Sequence, residues 1–195
     1  MSNNELAVTR VERSKEAARA AYDGLSKWYD LLAGSSEKKF ADFGLQKLDA
    51  KAGEKILEIG FGTGNSLVSL VGCVGKTGKV YGVDLSTGMF RVAQSKLKKN
   101  GTLGRVELQC ADAMHLPYPD NLFDAVFISF VLELFDTPEL PLVLHECKRV
   151  LQSNGRIGVV ALSKQDKYIS HPPLLVSCPA EGLQNQRGVR IGQSG

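Results

Sequence analysis

The sequence lacks a hydrophobic run long enough to cross a membrane. Its longest clean apolar stretches, such as residues 125–132, are much shorter than the roughly 20 residues that a spanning helix needs. The first 24 residues have no apolar core and carry acids at Glu5, Glu12 and Glu16. They match neither a secretory signal nor a good transit peptide. The sequence therefore predicts no transmembrane segment.

The chain also has little excess charge of either sign. Its 195 residues include 24 basic and 21 acidic side chains, mixed along the sequence, with a formal net charge of +3. Such a small excess favours neither nucleic acid nor an anionic membrane surface as a partner. With 43% hydrophobic residues, the composition is that of one globular domain with a sizeable buried core.

Cysteine and histidine are scarce and scattered. Neither type shows a metal-ligand spacing, so we expect no structural zinc. Three of the four cysteines lie in apolar surroundings, which is typical of reduced core thiols in a cytoplasmic protein. The residues concerned are Cys73, Cys110, Cys147, Cys178, His115, His145 and His171.

What the sequence does contain is an alternation of strand and helix signals from Gly53 onward. Short apolar or β-branched runs predict five strands, at residues 54–60, 79–84, 105–112, 123–130 and 156–162. Helical patterns separate these runs. The alternation predicts an α/β fold with a doubly wound, mainly parallel, Rossmann-like sheet. Ligands of such sheets bind beyond the carboxyl ends of the strands.

Two helices carry recognisable start signals. Ser86 is predicted to cap a helix that Gly101 stops. Thr137 is predicted to cap another, with Pro138 at its first position and an end near residues 154–155.

We expect three regions in one domain. Residues 1–52 have helical spacing and predict an N-terminal helical layer, and residues 53–163 predict the α/β core. Residues 164–195 predict an irregular tail, because the part from residue 168 holds three prolines and four glycines without periodicity. Within it, LLVSC at residues 174–178 fits one edge strand at best. An open edge beside strand five would favour a homodimer.

The stretch LEIGFGTGN at residues 57–65 places three alternate glycines directly after a strand. A dinucleotide-binding loop needs a third small residue where this loop has asparagine, and a P-loop needs a lysine that is missing here. A glycine-rich turn without a ligand is a third interpretation. The fourth is the pattern E-x-G-x-G-x-G, which Glu58, Gly60, Gly62 and Gly64 match at every fixed position.

Two acids end the next strands. Asp84 follows strand two, where a carboxylate can accept hydrogen bonds from both hydroxyls of a ribose. Its alternative role, capping a helix, is already filled by the neighbouring serine. Asp112 ends strand three, where it can accept from an adenine amino group, and Leu85 and Met114 are placed to sandwich the ring. Ala113 is a further candidate for binding the cofactor. A turn-capping role for Asp112 is the alternative. Asp124 begins strand four and is predicted to be structural.

Five segments in this order resemble the class I S-adenosylmethionine-dependent methyltransferases, and most of all the ubiquinone/menaquinone-biosynthesis type. They are residues 22–34, 57–67, 80–86, 110–124 and 146–160. The resemblance implies S-adenosyl-L-methionine as cofactor and methyl transfer to a small-molecule acceptor, and a quinone-like acceptor is implied by it alone. In this family two more strands normally follow strand five, the last of them antiparallel.

The resemblance also implies roles for individual residues. The glycine loop would hold the methionyl end of the donor, and Glu58 its amino group. The segment that begins at Ser129 and ends at Glu133 would face the reacting methyl group. Tyr22 and Tyr29 would help to close the site, or else pack as part of an amphipathic helix.

His115 and Glu133 are candidates for a base that deprotonates the acceptor, although a lone histidine in such a loop is more often a hydrogen-bonding residue. The alternatives to an active small-molecule methyltransferase are a non-catalytic cofactor-binding protein with the same fold and a nicotinamide oxidoreductase.

Overall fold

The computed structural model describes residues 20, 23–24, 34–161 and 174–179, with the backbone alone at residues 34–36 and 174–179. Four helices are described in full: α1 (Gly34–Leu48), α2 (Asn65–Cys73), α3 (Thr87–Lys99) and α4 (Leu140–Val150). The strands are β1 (Lys55–Ile59), β2 (Lys79–Asp84), β3 (Val106–Cys110), β4 (Phe123–Ser129), β5 (Leu151–Ala161) and β6 (Leu174–Pro179). All five predicted strands are confirmed.

The strands form one sheet in the order β3-β2-β1-β4-β5-β6. Strands β1 to β5 are parallel, and β6 pairs antiparallel with β5. The strand order reverses between β1 and β4, which creates a crevice at the carboxyl edge of the sheet. The predicted doubly wound, mainly parallel α/β fold is therefore confirmed.

Each face of the sheet has its own hydrophobic core. One core packs α1, α2 and α3 onto the sheet through Leu48, Leu70 and Leu97, all fully buried. The other packs α4 through Val143 and Cys147, together with the loop that precedes β4. Burial raises the pKa of the Cys147 thiol to about 12, so this cysteine is a neutral core residue. The helical layer predicted before residue 53 is confirmed for α1.

Helix α3 begins as predicted. Ser86 Oγ accepts a hydrogen bond of 3.1 Å from the backbone N–H of Met89, which satisfies one of the free donors in the first turn. Lysines at positions 96, 98 and 99 lie in the last turn, where positive charge complements the helix dipole. Gly101 follows in a left-handed conformation with φ of +67°.

The predicted bounds of α4 are wrong at both ends. The helix begins at Leu140, and Thr137 belongs to a separate turn that Glu139 closes by accepting a 3.0 Å hydrogen bond from the Asp136 N–H. At the other end, the carbonyl of Val150 accepts from the Leu122 N–H at 2.9 Å. The Val150 carbonyl is therefore hydrogen-bonded to the segment that enters β4 instead of to a further turn of helix. Strand β5 begins at the next residue, Leu151.

Residues 174–179 form a strand within the segment predicted to be irregular. Six residue pairs join β6 to β5, from Ala161↔Leu174 to Arg156↔Pro179. The prediction of an irregular tail is wrong for these six residues, while the single edge strand suggested by LLVSC is confirmed. The remainder of residues 164–195 lies outside the described residues.

Arg156 ties the C-terminus of α1 to the sheet. Its guanidinium group donates to the carbonyls of Leu48 and Asp49 at 2.6 and 2.9 Å, and to both carboxylate oxygens of Glu54 at 2.8 Å. The pair is mostly shielded from water, with side chains 24% and 16% exposed. A planar, five-donor group suits this arrangement better than an ammonium group would.

Arg156→Met should lower the free energy of unfolding by about 2–4 kcal/mol, because it leaves a shielded carboxylate and two carbonyls without their donor. Urea unfolding measures the loss. Lys38→Met is the matched control: its pair with Asp42 is exposed, with side chains 64% and 43% accessible, so it should cost less than about 0.5 kcal/mol. Equal losses for the two variants would contradict the role assigned to Arg156.

Candidate functional site

The three alternate glycines lie where β1 leaves the sheet, and each has a positive φ: +71° at Gly60, +50° at Gly62 and +83° at Gly64. Their surroundings differ. A Cβ on Gly60 would overlap the Val131 side chain, and one on Gly64 would lie 3.0 Å from the Cβ of Ala93. A Cβ on Gly62 would meet nothing within 4 Å in the described part of the chain. Two of the glycines thus permit close packing, and the middle one faces open space.

Asp84 lies directly beside this loop. Its Oδ2 accepts a 2.8 Å hydrogen bond from the Gly62 N–H, and its Oδ1 accepts one of 2.8 Å from the Ser86 N–H. Burial raises the pKa of Asp84, against the lowering effect of these two hydrogen bonds. The structure therefore brings the glycine loop and the predicted ribose carboxylate together.

Glu58 lies beneath the loop and is the most unusual side chain of the site. It is 2% exposed, and its Oε2 has no hydrogen-bond partner among the described residues. Burial, and then the charge of Asp84, hold the pKa of Glu58 well above its ordinary value of 4.5, although a hydrogen bond with Ser66 lowers it. A buried carboxyl oxygen without a partner is expensive, which points to a functional position.

Asp23 joins the site although the sequence did not single it out. Its Oδ1 accepts from Ser86 Oγ at 2.5 Å and from the Gly88 N–H at 2.7 Å, and its Oδ2 accepts from Thr87 Oγ1 at 3.3 Å. The N-terminal segment is thereby attached to the start of α3, next to Asp84, where a negative charge is favourable. The partners lie more than 60 positions apart, so no local sequence signal could have revealed the contact.

Asp112 closes a tight turn after β3. Its Oδ1 accepts from the Met114 N–H at 3.0 Å, and its carbonyl accepts from the His115 N–H at 2.9 Å. This is the turn-capping contact that was the alternative for Asp112, and its role toward adenine stays a prediction. Ala113 is buried, whereas His115 is exposed. Leu85, which follows Asp84, is half-buried.

The loop after Asp112 is held in place from α4. Glu146 Oε2 accepts from the Leu116 N–H at 2.8 Å. Arg149 donates to Glu146 and to the carbonyls of Leu116 and Tyr118, at 2.7 to 3.0 Å. The hydrogen bond from Arg149 lowers the pKa of Glu146, so this carboxylate is charged at neutral pH. Hydrogen bonds from α4 therefore hold the loop after Asp112 in its position.

The chain leaving β4 carries backbone strain. Phe130 has a φ of +56°, which is an outlier for a bulky residue and stores roughly 1–3 kcal/mol. Its N–H donates to the Val160 carbonyl at 2.7 Å. This turn separates Ser129, the last residue of β4, from Val131, whose side chain lies where a Gly60 side chain would be. Glu133 follows in a short 3-10 helix, Leu132–Leu134.

The remaining predicted residues lie away from the glycine loop or outside the described part of the chain. Tyr22 and Tyr29 lie outside the described residues. Asp124 accepts a 2.8 Å hydrogen bond from the Lys55 N–H at the opposite edge of the sheet, which confirms its structural role. Among the described residues, no cluster of three or more His, Cys, Asp or Glu side chains could hold a metal ion. No described helix is both long and apolar enough to cross a membrane.

Glu58→Gln should change how stability depends on pH. The raised pKa of Glu58 means that the folded chain binds this proton more tightly than the unfolded chain does. The resulting stability is complete below about pH 4.5 and is lost as the pH rises through the folded pKa. Glutamine removes this loss, so the fall in unfolding free energy between about pH 5 and pH 8 should be smaller than in the parent.

Urea unfolding at the two pH values tests this expectation. Part of the decrease in unfolding free energy should remain in Glu58→Gln, because the pKa of Asp84 is raised as well. The assignment of a protonated buried carboxyl would be refuted by a Glu58→Gln variant with the parent's pH dependence.

Comparison with known proteins gives one consistent result. The sequence profile of a family described as a methyltransferase domain matches residues 56–155. The ubiquinone/menaquinone biosynthesis C-methyltransferase of Vibrio parahaemolyticus is 33% identical over 157 residues, which cover 80% of this chain and 59% of that protein. The demethylmenaquinone methyltransferase of Geobacillus kaustophilus is 34% identical over 146 residues, which cover 75% and 60%.

Among solved structures, a SAM dependent methyltransferase from Aquifex aeolicus is 28% identical, with a TM-score of 0.64 over 76% of this chain and 78% of that one. The chain spans about 60% of the length of the curated relatives described above. The profile match spans the glycine loop, Asp84 and Asp112, and the predicted cofactor, S-adenosylmethionine, is confirmed at the level of the family. The chain belongs to the methyltransferase domain family and has the class I S-adenosylmethionine-dependent methyltransferase fold.

Proposed function

We propose that this domain binds S-adenosylmethionine at the crevice between β1 and β4 and transfers its methyl group to a small apolar acceptor. The observation that carries the proposal is Glu58, a buried carboxyl beneath the glycine loop whose Oε2 has no partner among the described residues. A ligand with an ammonium group would satisfy that oxygen. The residues present therefore fit the cofactor.

Asp84 is the residue that we assign to the ribose. Each of its carboxylate oxygens accepts one backbone N–H, and a carboxylate oxygen has a second lone pair for a ribose hydroxyl. Among the described residues, nothing lies within 4 Å of a Cβ on Gly62, which leaves room for the donor to approach the backbone closely. We assign Leu85, Asp112 and Ala113 to the adenine ring, Gly60 and Gly64 to the shape of the loop, and Ser129 to the side that faces the reacting methyl group.

When bound, S-adenosylmethionine supplies an activated methyl group, whose bond to sulfur breaks as a bond to the acceptor forms. The chain's own contribution is then to position the donor and to exclude water rather than to provide a nucleophile. Of the two candidates for a base, His115 is exposed, while Glu133 is half-buried in the segment after β4. We therefore favour Glu133 for any proton that the acceptor must lose.

The acceptor side favours an apolar substrate. Three large hydrophobic residues are exposed among those described, and two of them, Leu134 and Leu142, follow β4. Because the relatives named above act in quinone biosynthesis according to their names, we propose a quinone-like acceptor. A cytoplasmic location and a homodimer remain predictions for this chain.

Asp84→Asn should weaken binding of S-adenosylhomocysteine roughly tenfold or more, because it removes the charge from at least one hydrogen bond to the ribose. Isothermal titration calorimetry measures the loss. Asp124→Asn is the matched control, since Asp124 also accepts a backbone N–H but does so at the opposite edge of the sheet. Unchanged affinity in Asp84→Asn would refute the ribose assignment.

Gly62→Asn should abolish binding of the same ligand while leaving the melting temperature nearly unchanged, because asparagine tolerates a positive φ and its side chain would enter the space in front of the loop. Gly101→Asn is the control. Gly101 also has a positive φ, +67°, and no described atom within 4 Å of a Cβ, but it lies beyond the far end of α3. If Gly62→Asn unfolds whereas Gly101→Asn does not, Gly62 serves the fold instead.

Methyl transfer itself is tested with S-adenosylmethionine labelled on the methyl group and a panel of demethylated quinols, phenols and amines. We expect label on a hydrophobic quinol. Donor binding with no transfer to any acceptor would favour the non-catalytic alternative.

A further inference from the structure

The start of α3 presents more hydrogen-bond donors than its own cap serves. The first four N–H groups of a helix have no partner within the helix. In α3 the first bond of the ladder runs from the Phe90 N–H to the Ser86 carbonyl at 3.1 Å. Ser86 Oγ accepts from one of the free donors, the Met89 N–H, at 3.1 Å. The other donors at this helix start need acceptors from outside the helix.

Two carboxylates supply acceptors at this point. Asp23 Oδ1 accepts from the Ser86 hydroxyl at 2.5 Å and from the Gly88 N–H at 2.7 Å, and its Oδ2 accepts from Thr87 Oγ1 at 3.3 Å. Asp84 Oδ1 accepts from the Ser86 N–H at 2.8 Å. The two side chains thus divide the donors of one serine, because Asp23 binds its hydroxyl and Asp84 binds its backbone amide.

This division affects the carboxylate assigned to the ribose. Ser86 is 2% exposed, so its hydroxyl hydrogen needs an acceptor within the chain, and Asp23 is that acceptor. The other carboxylate bound to this serine is Asp84. Without Asp23, a hydroxyl that turned toward Asp84 would occupy a lone pair that the ribose needs. The Gly88 N–H would lose its acceptor at the same time, which would loosen the first turn of α3.

We infer that Asp23 is a positioning residue for the donor: it holds Ser86 and the first turn of α3, and thereby keeps the lone pairs of Asp84 available to the ribose. The inference rests on the proposed function, which assigns Asp84 to the ribose. It extends that function to a residue of the N-terminal segment that acts through Ser86 rather than on the ligand. Because such coupling is reciprocal, a bound donor in turn strengthens the attachment of this segment to α3.

Two substitutions separate the geometry of Asp23 from its charge. In Asp23→Asn the amide oxygen can accept from the Ser86 hydroxyl and the Gly88 N–H, and the amide nitrogen can donate to Thr87 Oγ1. Asp23→Glu keeps the charge but displaces the carboxylate by one methylene group. By isothermal titration calorimetry, we expect Asp23→Asn to bind S-adenosylhomocysteine within about twofold of the parent and Asp23→Glu to bind it roughly fivefold or more weakly. The opposite order would mean that charge alone matters and would refute the inference.

A double-mutant cycle tests the route through Asp84. Asp84→Asn has already lost the carboxylate on which Asp23 acts, so adding Asp23→Glu to it should weaken binding by less than about twofold. Losses that multiply would show that Asp23 acts independently of Asp84 and would overturn the inference. Arg156→Met is the control for stability. It should unfold more readily than the parent but bind S-adenosylhomocysteine equally well, because its partner Glu54 precedes β1, at the edge opposite the crevice.

Thr87→Val replaces Asp23→Glu in these titrations should the latter fail to fold. It removes the hydrogen bond to Asp23 Oδ2 and keeps a β-branched side chain, so binding should weaken about threefold. Thr102→Val is its matched control, since it removes a hydrogen bond of the same length, 3.3 Å, to the Leu97 carbonyl at the other end of α3. Equal affinities of these two variants would contradict the role of Asp23.

The outcomes distinguish the two proposals. If Asp84→Asn loses affinity for S-adenosylhomocysteine while Asp23→Glu binds it like the parent, the role of Asp23 is wrong and the proposed function stands. If the parent does not bind this ligand, or Asp84→Asn binds it as tightly as the parent, the ribose assignment is wrong and the inference falls with it. If Asp23→Glu loses affinity only in the presence of Asp84, both are supported.

Discussion

The whole site depends on one constraint: β1 is hydrogen-bonded on both sides, by β2 and by β4. Because β1 lies between two strands, the chain that leaves it must turn sharply out of the sheet beside the segment that leaves β4. Gly60 allows that turn because Val131 already fills the volume that a side chain would need. The strained φ of Phe130 brings Val131 there. The two loops that border the crevice are thus fitted to each other.

Charge is distributed unevenly over this framework. Carboxyl groups converge at the crevice, where Glu58 is buried, Asp84 holds the glycine loop and Asp23 holds the start of α3. The arginines lie elsewhere: Arg149 fixes the loop before β4, and Arg156 joins α1 to β5. These two arginines therefore stabilise the surroundings of the site, while three carboxyl groups meet within it. This division is expected where function requires a locally unfavourable arrangement.

Local signals in the sequence were reliable where the determining contacts are local. The five parallel strands follow from runs of apolar and β-branched residues, and the start of α3 follows from Ser86, whose partner is three residues away. The same reasoning failed at α4, because its ends are decided by Glu139 closing a separate turn and by Leu122 taking the last carbonyl. The run LLVSC indicated an edge strand, but the antiparallel register of residues 174–179 is set by their pairing with β5, which the run alone does not specify.

The sequence by itself determined the fold class, the glycine loop and the positions of Glu58, Asp84 and Asp112 at the ends of strands, because periodicity and turn chemistry act over a few residues. Only the tertiary structure decided which glycine faces open space, that one oxygen of Glu58 lacks a partner among the described residues, and that Asp23 reaches Ser86 from 63 positions away. Burial and long-range contacts depend on how separate elements pack. They arise only when the sheet brings those elements together.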